Sequence, residues 1–437
     1  MSNHTDTPPA PQLQGWLRSD GRKGIRNVVA VAYLVECAHH VAREIVTQFR
    51  EPLDAFDDDA TSQSVHAQES PVHLIGFPGC YPNTYAEKIL AQLATHPNVG
   101  AVLFVSLGCE SMNKHYLADL VRETGRPVEI LTIQEKGGTR STIQYGVDWV
   151  RGARAQLAAQ QTVPMRLDEL VVGTICGGSD GTSGITANPA VGRAFDLLID
   201  AGASCIFEET GELVGCEYHM KNRAARPELG DEIVACVAKA ARYYSILGHG
   251  SFAVGNADGG LTTQEEKSLG AYAKSGASPI VGIVKPGDVP PTGGLYLLDV
   301  VPDGEPRFGF PNISDNAEIV ELIACGAHVI LFTTGRGSVV GSAISPVIKV
   351  CANPLTYRNL AGDMDVDAGR ILERRATIDE VGREVFDRTV EVAAGARSKS
   401  ESLGHQEFIL TYKTFEPVGP ACLPASARVP IVGIAPH

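Results

Sequence analysis

Four cysteines of this sequence directly follow apolar runs, where a strand is expected to end and a helix to begin: Cys37, Cys80, Cys109 and Cys176. In open α/β sheets, ligands bind in the crevice outside the carboxyl ends of the strands, so these four thiols could line one crevice. A helix N-terminus also favours the thiolate, the form that binds metals. We therefore predict that at least two of these cysteines have a functional role. The alternative is that each cysteine acts only as a small apolar side chain that packs at the end of a strand.

Two glycine-rich segments, CGGSDGTSGITANP at 176–189 and FTTGRGSVVG at 332–341, follow later strands. Backbone N–H groups, hydroxyls and a helix start favour anion binding by the first segment, and Arg336 adds a cation to the second. Neither segment has the spacing of a phosphate-binding loop or of a dinucleotide fingerprint, so we predict a small carboxylate or sulfonate ligand and no nucleotide cofactor. Ordinary glycine-rich turns are the competing interpretation. The hydroxyls of the first segment that we assign to binding are those of Ser179, Thr182 and Ser183.

Acid and base candidates are numerous. The segment FEETGELVGCEYH at 207–219 places three glutamates just after a predicted strand, a position suited to metal ligands or to a general base. A solvated acidic loop is the alternative. No zinc-site spacing such as paired C-x-x-C or H-E-x-x-H is present, which argues against a structural zinc. The candidate bases are Glu209, His39, His40 and Lys267.

Composition limits the classes of protein that these residues can belong to. The 437 residues are 44% hydrophobic and 20% charged, which is typical of a large globular enzyme. The net charge of -14 argues against nucleic acid and against anionic membranes as partners. We see no apolar run of membrane-spanning length and no signal peptide, and the ten scattered cysteines fit reduced thiols. We therefore expect a soluble cytoplasmic enzyme.

Short apolar runs alternate with amphipathic segments, which predicts an α/β fold: two lobes on mostly parallel, Rossmann-like sheets with helices on both faces. The strands that lead to the four cysteines are predicted at 28–35, 72–77, 100–108 and 170–176. Asn188 and Pro189 are expected to begin the helix after the last of these. We predict a flexible arm at 1–14, a first lobe at 15–160, a second lobe with the glycine-rich loops at 165–396, and a tail at 397–437.

Several segments together resemble one family, the altronate and galactarate dehydratases and their relatives. The resemblance covers most of residues 15–395, and its long motifs make chance a poor explanation. Cysteines of the family correspond to the four strand-end cysteines of this sequence, and glutamates of the family correspond to Glu209 and Glu212. The matching segments are GWLRSDGRKGIRN, HPNVGAVLFVSLGCE, CGGSDGTSGITANPAVGR, GNADGGLTTQEEKSLG, FTTGRGSVVGSAISPVIK and DMDVDAG.

The resemblance implies an activity and a cofactor. Members of the family eliminate a β-substituent from a hydroxy acid, which gives an enol and then a 2-keto acid, and they depend on a divalent metal, typically iron. We assign metal binding to Cys37, Cys80, Cys109, Cys176 and Glu212. We assign substrate binding to Arg26, Asn27, Ser179, Asp180, Thr182, Ser183, Thr334 and Arg336.

Two departures from the family pattern refine the expected substrate. The dehydratases begin with a small SAF-type domain, which we expect here as a separate small subunit. They also place a His-x-Tyr-Gly before the cysteine at position 80, where this sequence reads GFPGC with Gly76 and Phe77. The sequence VECAHH around Cys37 also differs from the corresponding segment of the dehydratases. The missing histidine would have protonated a departing hydroxide, so its loss favours a leaving group that needs no proton, such as sulfite.

The resemblance is therefore strongest to a sulfo-lyase branch of the family, in which (2R)-3-sulfolactate gives pyruvate and sulfite. A sugar-acid dehydratase that forms a 2-keto-3-deoxy acid is the first alternative. Two others are a binding protein that has lost catalysis and an iron–sulfur protein, since three or four strand-end thiols could hold a cluster. We expect an oligomer that contains the SAF-type subunit.

Overall fold

The computed structural model describes residues 12–50, 70–247, 254–303 and 314–413. Most of the predicted arm, the acidic segment at 51–69 and the end of the predicted tail lie outside the described residues. Within the described ranges, no helix is long and apolar enough to cross a membrane. The predicted cytoplasmic location and the predicted domain boundaries stay predictions.

Strands and helices alternate along most of the chain. The strands are β1 (Leu13–Leu17), β2 (Lys23–Gly24), β3 (Val28–Tyr33), β4 (Val72–Gly76), β5 (Val99–Ser106), β6 (Val128–Thr132), β7 (Val163–Met165), β8 (Val171–Cys176), β9 (Ser204–Phe207), β10 (Ile280–Val284), β11 (Gly294–Leu298), β12 (Val329–Thr334), β13 (Val347–Cys351) and β14 (Val366–Asp367). The helices are α1 (Glu36–Thr47), α2 (Thr84–Ala94), α3 (Lys114–Glu123), α4 (Thr139–Ala158), α5 (Ala187–Asp200), α6 (Glu217–Asn222), α7 (Pro227–Leu247), α8 (Val254–Asp258), α9 (Gln264–Ala273), α10 (Asp315–Ala324), α11 (Pro354–Asn359), α12 (Ile378–Ala393) and α13 (Lys399–Ser402).

The first lobe is a parallel sheet with the strand order β4-β3-β5-β6. Alternate residues of β3 face opposite sides of this sheet, as the two-residue period of a strand requires. Val29 and Val31 pack in the apolar cluster with α1 and α4. Ala30 and Ala32 pack in the cluster with α2 and α3. Helices therefore cover both faces, which is why strands such as β5 consist almost wholly of buried apolar residues.

The second lobe is a seven-stranded parallel sheet with the order β10-β11-β9-β8-β12-β13-β14. The chain enters the sheet at β8, builds outward on one side through β9, and later builds outward on the other side from β12. The strand order therefore reverses between β8 and β12. Ligands in such sheets bind at the carboxyl ends of the strands that flank this switch point. The two sheets and their helices confirm the predicted α/β fold.

Helix α5 begins earlier than its sequence signals indicate. Its N-cap is Thr186, and no side-chain hydrogen bond caps it. The prediction that Asn188 caps this helix was wrong. The Asn188 amide instead donates to the carbonyl of Gly270, 3.0 Å away, and so ties α5 to α9.

His328 connects the two lobes through the small antiparallel sheet β2-β1-β7. Its Nδ1 accepts a hydrogen bond from the N–H of Val171 at 3.0 Å, and its Nε2 lies 2.9 Å from the carbonyl of Lys23. Accepting at Nδ1 requires the neutral ring, with the proton on Nε2. The side chain is buried, and burial lowers the pKa of His328 to about 4.

We therefore expect the stability of this junction to fall with acidification. The unfolded chain binds a proton on His328 below about pH 6.5 while the folded chain does not, so stability is full above this pH and is lost as the pH falls toward 4. The loss approaches roughly 3 kcal/mol at pH 4. In H328Q, whose amide keeps one acceptor and one donor, the thermal midpoint should fall less steeply between pH 6.5 and 5. H40Q, at an exposed position, should retain the steep decline, and equal slopes for both variants would contradict the assignment.

Candidate active site at the switch point of the second sheet

The carboxyl ends of β8, β9 and β12 place the candidate groups side by side. Thr174 of β8 is in register with Phe207 of β9. Two residues further along, Cys176 therefore lies beside Glu209, and the Cys176 N–H donates to Glu209 Oε1 at 2.5 Å. On the other side, Cys176 is in register with Thr333 of β12. The central strands of the sheet thus converge on Cys176.

Glu209 is held in an uncommon conformation. Its φ angle is 96°, a region that non-glycine residues rarely adopt and that is often found at functional sites. The carboxylate forms a buried ion pair with Lys274, whose side chain is fully buried. These contacts fix Glu209 beside Cys176.

Lys267 occupies the centre of the cluster. Its Nζ lies 3.0 Å from Cys176 Sγ, 3.1 Å from Ser179 Oγ and 2.6 Å from Glu212 Oε2. Cys176 Sγ is itself 3.1 Å from Ser179 Oγ. An ammonium group that contacts a thiol, a hydroxyl and a carboxylate can stabilise negative charge that develops nearby.

Burial dominates the proton equilibria of these groups. Burial, reinforced by the Glu209 carboxylate, raises the pKa of Cys176 to about 12. Burial is also the largest effect on Glu212 and raises the pKa of its carboxyl above the ordinary value. Burial alone would raise the pKa of Glu209 too, but Lys274 and Lys267 outweigh it and lower the pKa to about 2. Glu209 is therefore the permanent anion of the cluster.

The possible metal-donor atoms of Cys176, Glu209 and Glu212 all lie within 4.8 Å of one another. Among the described residues, these three side chains form the group whose spacing could hold a metal ion. The Oε2 atom of Glu209 is buried and has no hydrogen-bond partner among the described residues. One sulfur and two carboxylate donors suit a divalent first-row transition metal such as iron. These residues therefore fit a metal ion, and Glu209, predicted as a base, would be the third donor.

The two glycine-rich segments bracket this cluster and contact each other. The N–H groups of Gly335 and Arg336 donate to the carbonyl of Gly178 at 3.1 and 2.8 Å. The buried Asp180 carboxylate accepts from the backbone and hydroxyl of Thr182 and from the Asn353 amide. The backbone N–H of Asp180 donates to Ser183 Oγ at 3.0 Å. Asp180, Thr182 and Ser183, predicted as substrate ligands, thus support the shape of the first segment.

Because the two glycine-rich segments approach each other closely, we predict that position 335 tolerates no side chain larger than that of glycine. A Cβ atom there would lie 2.1 Å from Oδ1 of the buried Asp180. We expect G335A to lower the free energy of unfolding by about 1–3 kcal/mol, since the clash must displace a hydrogen-bonded carboxylate. Denaturant unfolding would measure this loss. G362A is the matched control, because nothing lies within 4 Å of its Cβ, and equal stability of the two variants would contradict the clash.

Thr334 and Arg336 lie on the second segment, and both have protein partners. The Thr334 hydroxyl accepts from the N–H of Gly337 at 3.0 Å. The exposed Arg336 donates to the carbonyl of Gly255 at 2.5 Å, which connects this segment to α8. Arg336 is therefore at the rim of the crevice rather than at Cys176.

The structure places the remaining predicted site residues elsewhere. Arg26 is buried in an ion pair with Glu401, with a 2.6 Å contact. Asn27 bonds to Arg18 and Gln160.

The two predicted histidines lie on the first lobe. His39 stacks on Tyr33 with ring centroids 4.6 Å apart and pairs with Glu36 at 3.0 Å. His40 is exposed beside Arg43. Neither contacts the Cys176 cluster in the described structure.

Of the four strand-end cysteines, Cys176 alone belongs to the group with metal-site geometry among the described residues. The other three, Cys37, Cys80 and Cys109, are exposed at the carboxyl edge of the first sheet.

Lys274 was not predicted from the sequence. It caps the C-terminus of α9, seven residues after Lys267, and this spacing of two helical turns places both lysines on one side of the helix. Two lysines on an otherwise buried helix face signal nearby carboxylates. That spacing could have identified the pair.

Comparison with known proteins gives matches over both lobes. Residues 15–158 match the family model for the second domain of D-galactarate dehydratase/altronate hydrolase. Residues 167–415 match the model for the C-terminal domain of D-galactarate/altronate dehydratase.

Individual relatives span nearly the whole chain. The (2R)-sulfolactate sulfo-lyase subunit beta of Chromohalobacter salexigens is 33% identical over 91% of this chain and 96% of its own length. The altronate dehydratase of Bacillus subtilis is 30% identical over 91% of this chain and 77% of its own length. The galactarate dehydratase (L-threo-forming) of Escherichia coli is 30% identical over 89% of this chain and 75% of its own length.

Proposed function

This chain belongs to the D-galactarate/altronate dehydratase family of lyases, and on that basis we propose that it is the large subunit of a metal-dependent enzyme that eliminates sulfite from (2R)-3-sulfolactate. The observation that carries the proposal is the buried cluster of Cys176, Glu209, Glu212 and Lys267 at the switch point. It combines donors for a metal with a cation for a developing enolate, and elimination beside a carboxylate requires both.

The proposed reaction balances without an external reactant. A base takes the C2 proton, the C2–H electron pair forms the C2–C3 double bond, and the C3–S bond breaks with its electron pair leaving on sulfite. The resulting enol takes a proton at C3, loses the proton of its C2 hydroxyl, and becomes pyruvate. A divalent metal held by Cys176, Glu209 and Glu212 would polarise the C2 hydroxyl and the carboxylate of the substrate.

Lys267 is the residue that we assign to the negative charge that develops on the substrate as the C2 proton leaves. Burial opposes its charge, but Cys176, Glu212 and Glu209 outweigh burial and raise the pKa of Lys267 well above its ordinary value, so the side chain is an ammonium and not a base. Its Nζ is buried and lies within 3.1 Å of Cys176 Sγ and Ser179 Oγ, so a substrate anion held at Ser179 meets this cation directly. Glu209 and Lys274 position the cluster through their buried ion pair. His39 and His40, predicted as bases, bond within α1 or stack on β3.

Two observations favour sulfite over hydroxide as the leaving group. Gly76 stands where the dehydratase pattern has its histidine, and the neighbouring Phe77 is fully buried with its ring 5.2 Å from that of Tyr412. This position therefore offers no acid to a departing hydroxide. The chain is also 33% identical to the sulfo-lyase subunit and 30% identical to the altronate dehydratase of Bacillus subtilis.

The relative named subunit beta supports a partner subunit, and we propose a small SAF-type protein in that role. The test is product analysis after co-expression with such a subunit and loading with ferrous iron without oxygen. Offered 3-sulfolactate, altronate and galactarate separately, the complex should form sulfite and pyruvate in equal amounts from the first alone. Formation of a 2-keto-3-deoxy acid from a sugar acid would instead establish a dehydratase.

A further inference from the structure

Three cysteines that the Cys176 cluster does not use lie at equivalent places on neighbouring strands. In the first sheet, Tyr33 of β3 is in register with Gly76 of β4 and with Val105 of β5. Cys37, Cys80 and Cys109 each follow the register-matched residue of their own strand by four positions. Since β3 lies between the other two strands, the three cysteines follow neighbouring strand ends at the same edge of the sheet.

Backbone hydrogen bonds join the three segments that carry these thiols. The N–H of Glu36, next to Cys37, donates to the carbonyl of Pro78 at 3.0 Å. The N–H of Ser111 donates to the carbonyl of Cys80 at 2.9 Å. The loop of Cys80 is therefore bonded on one side to the segment of Cys37 and on the other to the segment of Cys109.

The side chains of the three cysteines point to solvent. Among the nine cysteines in the described ranges, these three are the exposed ones, and all nine are free thiols. Cysteine is among the most buried residue types, so three exposed thiols at one sheet edge are unusual for residues that merely fill space.

Each loop is also held in shape. The Glu110 carboxylate accepts from the N–H of Gly108 at 2.9 Å and thereby closes the turn that carries Cys109. Gly108 has a φ of 124°, and a Cβ there would lie 2.5 Å from Gln134. Beside Cys80, a Cβ on Gly79 would lie 2.1 Å from the hydroxyl of Tyr412. These constraints fix the loops before any ligand binds.

We propose that Cys37, Cys80 and Cys109 hold an iron–sulfur cluster, a cofactor site additional to the metal of the proposed elimination. Structural zinc sites draw their thiolates from closely spaced pairs, whereas these three come from three separate strand ends. Iron–sulfur clusters are held by cysteine thiolates, and the four-iron, four-sulfur type uses one thiolate per iron. Three thiolates leave one iron open to a small ligand that carries oxygen donors. Cys37, in the first turn of α1, gains the stabilisation that a helix start gives a thiolate.

The test is metal and sulfide analysis of the full chain, purified without oxygen or reconstituted with ferrous iron and sulfide. About four acid-labile sulfides and a broad visible absorbance are expected per chain. C37S, C80S and C109S should each lose most of both signals while keeping the wild-type thermal midpoint, since all three positions are exposed. C176S should retain both signals, because its thiol belongs to the other site, so this readout is independent of lyase activity.

Absence of acid-labile sulfide after anaerobic reconstitution would overturn the proposal. Sulfide that all three serine variants retain would also overturn it. Zinc bound in place of iron by these three cysteines would show a thiolate metal site but not a cluster, and would refute the assignment.

Discussion

E209Q is expected to lower the rate of elimination at least about a hundredfold, and up to ten-thousandfold. The substitution removes the permanent anion of the cluster and one of the three proposed metal donors. It also leaves the fully buried Lys274 ammonium without its carboxylate, which should cost about 3–5 kcal/mol of folding free energy. Steady-state kinetics and denaturant unfolding on the same preparations would measure both effects.

Two further variants separate the loss of stability from the loss of activity. E209Q/K274M removes both members of the buried pair and should recover most of the lost stability without recovering activity. E265Q, at an exposed position on α9, should match the wild type in both measurements. Recovery of activity in the double variant would contradict a role for Glu209 in the chemistry.

K267M should lower the turnover number by about two to three orders of magnitude. The reason is that Lys267 is the buried ammonium that contacts Cys176, Ser179 and Glu212 together. Exchange of the C2 proton of the substrate with deuterated solvent would distinguish its possible roles. If the ammonium stabilises the enolate, its loss should slow the exchange, whereas if it only binds the substrate anion, its loss should raise KM and leave the exchange intact.

K267R and K88M are the comparison variants for this residue. K267R keeps the positive charge, so it should retain more of the turnover and of the proton exchange than K267M does. K88M removes a lysine from a surface ion pair with Asp288 and should behave as the wild type. Rapid C2 exchange in K267M would refute the assignment of Lys267.

Much of the scaffold was predictable because buried parallel strands leave a strong signal in sequence. The apolar runs that end near Cys37, Cys80, Cys109 and Cys176 are strands β3, β4, β5 and β8. Their position at strand ends also singled out Cys176 and, separately, the glutamates that follow β9, which the structure brings together.

What sequence did not supply is the strand order, which decides which strand ends meet. Cys176 and the other three cysteines lie on two different sheets, so one crevice for all four could not be distinguished from two sites by position along the chain.

Polar residues were harder to assign than strands. Arg26 has the charge expected of an anion site, yet it is committed to Glu401 and to the carbonyls of Val392 and Ala396. The sequence separation of 375 residues between Arg26 and Glu401 exceeds the reach of any local pattern. Lys274 was missed because its partner, Glu209, comes from a strand end far along the chain.

The central claim is that Cys176, Glu209 and Glu212 bind one catalytic divalent metal. Anomalous diffraction from crystals grown with Mn²⁺ in place of iron measures this directly. We expect one strong anomalous peak within bonding distance of Cys176 Sγ and of a carboxylate oxygen from each of the two glutamates, and no such peak in crystals of E209Q/E212Q. A fully occupied manganese site elsewhere in an active enzyme would contradict the claim.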